Sequence, residues 1–182
     1  MIKREKKTIT AEEVRYLLDY DPGTGVFLWK NPTAPWLRRG TVAGCDLAAT
    51  KKRPERKSPV AKVYVIGLHY KLYPAAQLAW LYMTGEWCDS LIDHKDGDHT
   101  NQRWDNLRKA DKSINAQNLH GARRDNKTSG VLGVSLDRES GKWKAQIQVA
   151  GKKKSLGRFK SIAEAETAYL AAKRQMHPGC TI

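Results

Sequence analysis

The residues best equipped for chemistry in this sequence lie close together in "LIDHKDGDHTNQRWDNLRKADKSINAQN", residues 91–118. An apolar pair, Leu91 and Ile92, runs straight into Asp93 and His94, and Asn106 and Asn115 follow twelve and twenty-one residues after His94. A strand that delivers a carboxylate and an imidazole into a polar, Asn-rich loop builds a site and not a core. The chemistry these types suit is phosphodiester hydrolysis. That reaction needs a water deprotonated near neutral pH, and a histidine with an ordinary pKa of about 6.5 is matched to it. It also needs a divalent ion to neutralise the charge building on the scissile phosphate and the leaving oxygen. Asp93 and the amide oxygen of Asn115 are hard oxygen donors, apt for Mg2+ (or Mn2+) and not for zinc. Neighbours on a strand point to opposite faces, so Asp93 would face the ion and His94 the water.

Those residues must be positioned by the elements around them. Thr10-Ala-Glu-Glu13 has the spacing of a helix capping box, with Val14, Leu17 and Leu18 as a short apolar face. Asp21-Pro-Gly-Thr-Gly25 reads as a turn and "VFLWK" after it as a strand. Residues 31–59 turn Pro-rich and basic and are expected to form a long loop or mobile arm. "AKVYVIGLHYKLY" (61–73) is β-rich, with Gly67 expected in a turn or bulge. Pro74 stops it, and "AAQLAWLYMTG" follows with helical spacing and Gly85 as its cap. A helix start is expected at 113–119. "GARRDNKTSG" (121–130) is polar and basic and reads as the domain boundary.

Beyond it come three short β runs, "VLGVSL", "KWKAQIQVA" and "KKSLGRF". In the middle run, alternation puts Trp143, Ala145, Ile147 and Val149 on one face and Lys144, Gln146 and Gln148 on the other. "SIAEAETAYLAAKRQM" is the clearest helix, with Ser161 as cap, Glu164 completing the box, and Ile162, Ala165, Ala168, Tyr169 and Ala172 on one face. The outward row is one of donors and acceptors: Gln reads adenine edges, Lys reads guanine or phosphate, and a sheet can enter the major groove. Lys152, Lys153, Lys154 and Arg158 would grip the backbone.

Charge supports a polyanionic partner. The 182 residues carry a net charge of +14, distributed unevenly. Residues 1–60 hold 13 basic and 7 acidic side chains, residues 61–120 hold 7 of each, and residues 121–182 hold 13 and 5. Basic flanks around a balanced middle suit a protein that neutralises phosphates and releases their counterions. No apolar run approaches the roughly 18 residues of a membrane span. "MIKREKKTIT" has no apolar stretch behind it and so does not read as a secretion signal. Three scattered cysteines (Cys45, Cys88, Cys180) form no CxxC pair, and a reducing cytoplasm is the simplest setting.

The stretch "LIDHKDGDHTNQRWDNLR...INAQN" resembles the HNH endonuclease motif in its phage and homing-type branch, where the third letter is Asn. "LAWLYMTGEW" and "LLDYDPGTGVFLWK" are similar to the same branch, so the resemblance covers roughly residues 8–120. It implies a β-hairpin and a helix clasping one metal ion, with Asp93 and Asn115 as ligands and His94 as general base. Asn106 would brace the loop and orient His94, with Asn118 in support. His99, in the loop, is expected to be solvated, and His120 is the alternative third ligand. His69 and His177 read as surface or structural residues. Where many relatives carry His-Arg before the "LAW" run, this chain has Ala76-Gln77, which puts a supporting or DNA-contacting role there in doubt.

Residues 129–177 resemble the plant APETALA/ethylene-response-factor DNA-binding domain, which also occurs fused to HNH nucleases. The positions matching its DNA contacts are Ser135, Gln146, Gln148 and Lys153, while several of its Arg and Trp readers are absent. Arg123, Arg124 and Lys127 in the connector are expected to lie on DNA as a tether.

The expected class is α+β: an HNH nuclease fold, then a small three-stranded antiparallel sheet packed on one helix. The divisions are 1–59 (helix, strand and basic arm), 60–120 (nuclease core), 121–128 (basic linker) and 129–182 (DNA-binding domain). The expected activity is metal-dependent cleavage of double-stranded DNA by a monomer. The rival is a non-catalytic DNA-binding regulator carrying a decayed nuclease fold, which the complete Asp93-His94-Asn106-Asn115 set argues against. Charge alone leaves RNA open as a substrate.

Overall fold

The computed structural model describes residues 9–47, 63–122 and 126–182. The chain is α+β and divides into two compact units, Met1–Lys109 and Ala110–Ile182.

The first unit begins with α1 (Ala11–Leu17), started by Thr10, whose hydroxyl accepts the Glu13 N–H at 3.2 Å. The chain then reverses through a hairpin of β1 (Leu18–Asp21) and β2 (Val26–Trp29). Asp21 makes the turn: its carboxylate accepts the Gly23 N–H at 2.9 Å and the Thr24 hydroxyl at 2.7 Å. Those two bonds hold its carboxyl below the usual range.

Next comes a three-stranded antiparallel sheet, β3 (Cys45–Asp46), β4 (Tyr64–Leu68) and β5 (Lys71–Pro74), with β4 in the centre. The arm expected over 31–59 is thus not wholly irregular. Val42 bridges to Leu28, and β3 pairs with β4. Residues 48–59 of that arm lie outside the described residues. Gly67, expected in a turn or bulge, is instead inside β4 opposite Leu72. The reversal falls two residues later at His69 and Tyr70, whose φ of 48° and 61° give the two-residue turn whose twist matches a hairpin. His69 is held at the surface by Glu13, 3.1 Å away.

Pro74 ends β5 and leads into α2 (Ala75–Thr84), capped by Gly85. Ala75, Leu78, Ala79 and Leu81 give α2 a fully buried stripe. It packs with Val14, Leu18, Phe27, Ile66 and Leu68 into one core. Against that core lies a two-stranded sheet of β6 (Leu91–His94) and β7 (Leu107–Ala110), joined by the polar loop 95–106.

The second unit opens with α3 (Lys112–Gln117), capped by Asp111, whose carboxylate accepts the Ile114 N–H at 2.7 Å. Its main layer is an antiparallel sheet of β8 (Val134–Asp137), β9 (Lys142–Val149) and β10 (Lys152–Phe159), with β9 in the middle. α4 (Ile162–Met176) covers one face, burying Ala165, Tyr169 and Ala172 with Val134, Ala145 and Ile147. Helix and sheet meet closely at Gly133, where φ is +68° and a Cβ would lie 2.1 Å from the Tyr169 ring. Ser161 caps α4 as expected, but Glu164 reaches back to the Lys160 N–H (3.2 Å) and so widens the box by a residue.

The segment after α4 returns to α3. Gly179 donates its N–H to the Gln117 amide oxygen (3.0 Å), and Thr181 donates to Asn118 (2.6 Å). The ammonium of Lys173, 1% exposed, donates to the Leu119 carbonyl, and burial lowers its pKa. His177 is structural, with Nε2 2.8 Å from the Gln148 carbonyl oxygen. No helix among the described residues is long and apolar enough to cross a membrane.

Candidate active site

β6 ends as the sequence predicts, and its last two residues part company. Asp93 is buried, 6% exposed, while His94 is half-buried at the mouth of the loop. Arg108 on β7 places Nε–H and Nη2–H on Asp93 Oδ2 at 2.9 and 2.8 Å, so the buried carboxylate has a cationic partner. Lone carboxylates of that burial are rare, and this pairing is what lets a charge sit there.

The loop that follows is held from inside by Asn106. Its amide oxygen accepts the Asp96 N–H at 3.1 Å, and its amide nitrogen donates to Asp96 Oδ1 and to the Asn101 carbonyl, both at 2.9 Å. The backbone adds Lys95 N–H to the Asn106 carbonyl and Gly97 N–H to the His94 carbonyl, each 2.9 Å. Burial raises the carboxyl of Asp96. The Asp98 N–H, Asn101 and Asn106 outweigh that, and its pKa ends below the usual range. Asp98 is lowered as well, by the hydroxyl and N–H of Thr100.

Asn106 thus ties Asp96 and Asn101 together within the loop, and none of these three side-chain bonds goes to His94. Gln102 meets the His94 ring, its Oε1 3.2 Å from Nε2. Gln102 was not singled out by its place in the sequence. It is 3% exposed, with its side chain between His94 and His99 and its backbone fixed by the distant Tyr20 and Gly25. Nor does the sequence mark out Arg108, within the "NLR" element, or Asp96. Their value shows only when β6, β7 and the loop close on each other. His99, expected in solvent, is three-quarters buried instead, with Nε2 3.3 Å from Asp46 Oδ1 on β3, in ion-pair range without hydrogen-bond alignment.

Asn115 stands exposed on α3, in the second unit, and its N–H is used by the helix (3.0 Å to the Asp111 carbonyl). Asn118 is buried and His120 lies within 3.4 Å of it, so both are engaged inside that unit. Among the described residues no three His, Cys, Asp or Glu side chains cluster as a metal cage. That donor chemistry does not fit a closed zinc centre. It does fit a hard ion held by one or two oxygen side chains, with water and phosphate oxygens completing the shell.

The sequence-predicted DNA contacts in the second unit share one face of the sheet. Ser135 pairs with Lys144, Gln146 with Ser155 and Lys153 with Gln148, all on the side away from α4. Lys127 is exposed in a turn, while Arg123 and Arg124 lie outside the described residues. Arg158 on β10 donates its Nε–H to Asp137 and keeps its side chain half exposed.

The HNH endonuclease family model matches residues 73–117, from the end of β5 to the end of α3. The match includes Asp93, His94, Asn106 and Asn115 and excludes the three-stranded sheet. Neither a curated protein nor a solved structure matches the chain.

Proposed function

We propose that this protein is a metal-dependent DNA endonuclease of the HNH homing type, of the kind phages and mobile elements encode. The observation that carries the reading is Asp93-His94 at the end of β6. One residue is buried and ion-paired, the other sits at the mouth of a braced loop, and both lie inside the segment that matches the HNH family. A protein that only bound DNA would have no use for a buried, ion-paired carboxylate followed at once by an imidazole set against a buried amide.

In this reading His94 takes the proton from the attacking water. Asp93, held by Arg108, would be a ligand of a divalent ion, and Asn115 would be the candidate for a second oxygen. A magnesium or manganese ion, when bound, neutralises charge on the scissile phosphate and the departing oxygen. Asn106 keeps the loop in one shape, so that His94 does not have to be ordered again at each turnover. The substrate is double-stranded DNA, held by the second unit. The Lys144-Gln146-Gln148 row and Lys153 face away from α4, with Ser135 beside them, and Arg123, Arg124 and Lys127 precede them as a tether. The protein acts as a monomer.

Supercoiled plasmid incubated with purified protein, with magnesium, with manganese and with chelator, is the direct test. Metal-dependent nicked or linear product is expected. Specific DNA binding with no product under any metal would favour the regulator instead.

A further inference from the structure

We propose that Gln102 is the positioning residue for His94. It fixes the neutral ring with its proton on Nε2, and so makes Nδ1 the nitrogen that accepts the proton from water. The role of Nδ1 rests on the nuclease reading above; the state of the ring does not.

The two ends of the Gln102 amide have opposite hydrogen-bonding roles, and the surroundings decide which end goes where. Its Nε2 is 2.6 Å from the backbone carbonyl oxygen of His99. A carbonyl can only accept, so the nitrogen must be the end that faces it. The oxygen is then the end facing His94, 3.2 Å from Nε2 of the ring. That oxygen also can only accept. His94 Nε2 must therefore carry a hydrogen, and in a neutral imidazole the lone pair falls to Nδ1.

Gln102 is held tightly enough to impose this. Its own carbonyl accepts the Tyr20 hydroxyl at 2.6 Å, and the next turn is tied by Trp104 N–H to the Pro22 carbonyl at 3.0 Å. Gly25 (φ +75°) presses against the same backbone, where a Cβ would come within 2.4 Å of Arg103 N and 2.5 Å of the Gln102 carbonyl carbon. His99, which provides the acceptor, is set beside Asp46 of β3. The hairpin β1–β2 and the strand β3 thus reach the imidazole through one buried amide. A general base needs its lone pair ready before substrate arrives, and a partner on the opposite ring nitrogen is the usual way to guarantee it.

The test uses the full chain labelled with nitrogen-15, read by long-range proton–nitrogen correlations of the His94 ring at about pH 8, where an ordinary imidazole is neutral. In the wild type we expect the Nε2–H form, with that proton protected from exchange. Gln102→Met should lose the protection and mix the two tautomers. Its kcat should fall by about 10–100-fold, the usual cost of losing an orienting partner, with KM unchanged. Gln102→Glu keeps an acceptor toward His94 and should keep the Nε2–H form. Tyr20→Phe removes one of the bonds that hold Gln102 without touching its amide, and should speed exchange of the Nε2 proton without changing the tautomer.

An Nδ1–H ring in the wild type overturns the proposal, and so does a protected Nε2–H that survives Gln102→Met. A lost signature with kcat unchanged removes the positioning role. If Gln102→Met does not fold, the wild-type ring and Gln102→Glu still decide. A ring as expected in a protein that cuts no DNA leaves the ring assignment standing and defeats the nuclease reading.

Discussion

Arg108 sets two N–H donors on the same oxygen of Asp93, Oδ2, at 2.9 and 2.8 Å, across the β6–β7 sheet. Both donors are charged, the carboxylate is buried, and the pair joins the strand that carries the site to the strand that returns from its loop. Arg108→Gln should cost about 1.5–3 kcal/mol, the worth of a hydrogen bond to a charged group with its partner left behind. Arg108→Lys should recover only part of it, since an ammonium does not reproduce the planar two-donor geometry. The urea midpoint at neutral pH is the measurement, and an unmoved midpoint would show that the pair is not structural.

His94→Ala should lower the cleavage rate by roughly 10²–10⁴, the usual worth of general base catalysis. Its affinity for DNA should stay close to wild type, because the basic flanks lie elsewhere in the sequence. Single-turnover cleavage and a binding isotherm on the same preparation separate the two. Asp93→Ala should weaken magnesium or manganese binding in calorimetry, and unchanged metal affinity would move the ligand elsewhere.

The loop 95–106 should come loose in acid. Asp96 has its pKa depressed in the folded chain, while an unfolded aspartate titrates near 3.9. The stabilisation is complete above the unfolded value and is lost as the pH falls from about 4 through the folded pKa. Amide exchange in the loop, followed from about pH 5 downward, should accelerate in the wild type below about pH 4. Asp96→Asn cannot take up a proton and should show a flatter acid limb from a lower starting stability.

Base reading and backbone contact should separate within the second unit. Gln146→Ala should cost about 1–3 kcal/mol at particular base pairs, if its amide makes a bidentate contact. Gln148 has its Nε2 directed to the Gly151 carbonyl at 3.3 Å, so Gln148→Ala should cost less. Lys153→Ala should weaken all sequences alike and reduce the salt slope by about one phosphate contact. Affinities for a selected site and for random duplex, taken across salt, distinguish these outcomes.

Much of this was legible in the sequence because it is local. The caps at Thr10 and Ser161, the Asp21–Gly25 turn, the end of β5 at Pro74 and the alternation in β9 all depend on residues a few places apart. The Asp93-His94 step at the end of β6 is of the same kind. What the sequence hid depends on contacts between remote elements. Gln102 owes its fixed backbone to Tyr20 and Gly25, Asp93 owes its ion-pair partner to Arg108 on β7, and His99 left solvent because β3 brings Asp46 beside it. Gly67 misled for a different reason. A glycine in a β run suggests a turn, but here His69 and Tyr70 take the positive φ values at the hairpin.

The clasp between α3 and the segment from Lys173 to Thr181 makes the second unit a candidate for fragment complementation. Residues 112–120 stay attached to the sheet-and-helix body by the Gln117, Asn118 and Leu119 contacts, whatever happens to the covalent chain between them. Cutting that chain at 123–125 would exchange a closed loop for a two-body association and leave every one of those bonds in place. Two separately expressed pieces, 1–122 and 126–182, should therefore find each other and copurify. Thr181→Val with Lys173→Met should abolish the reassembly while leaving the intact chain folded.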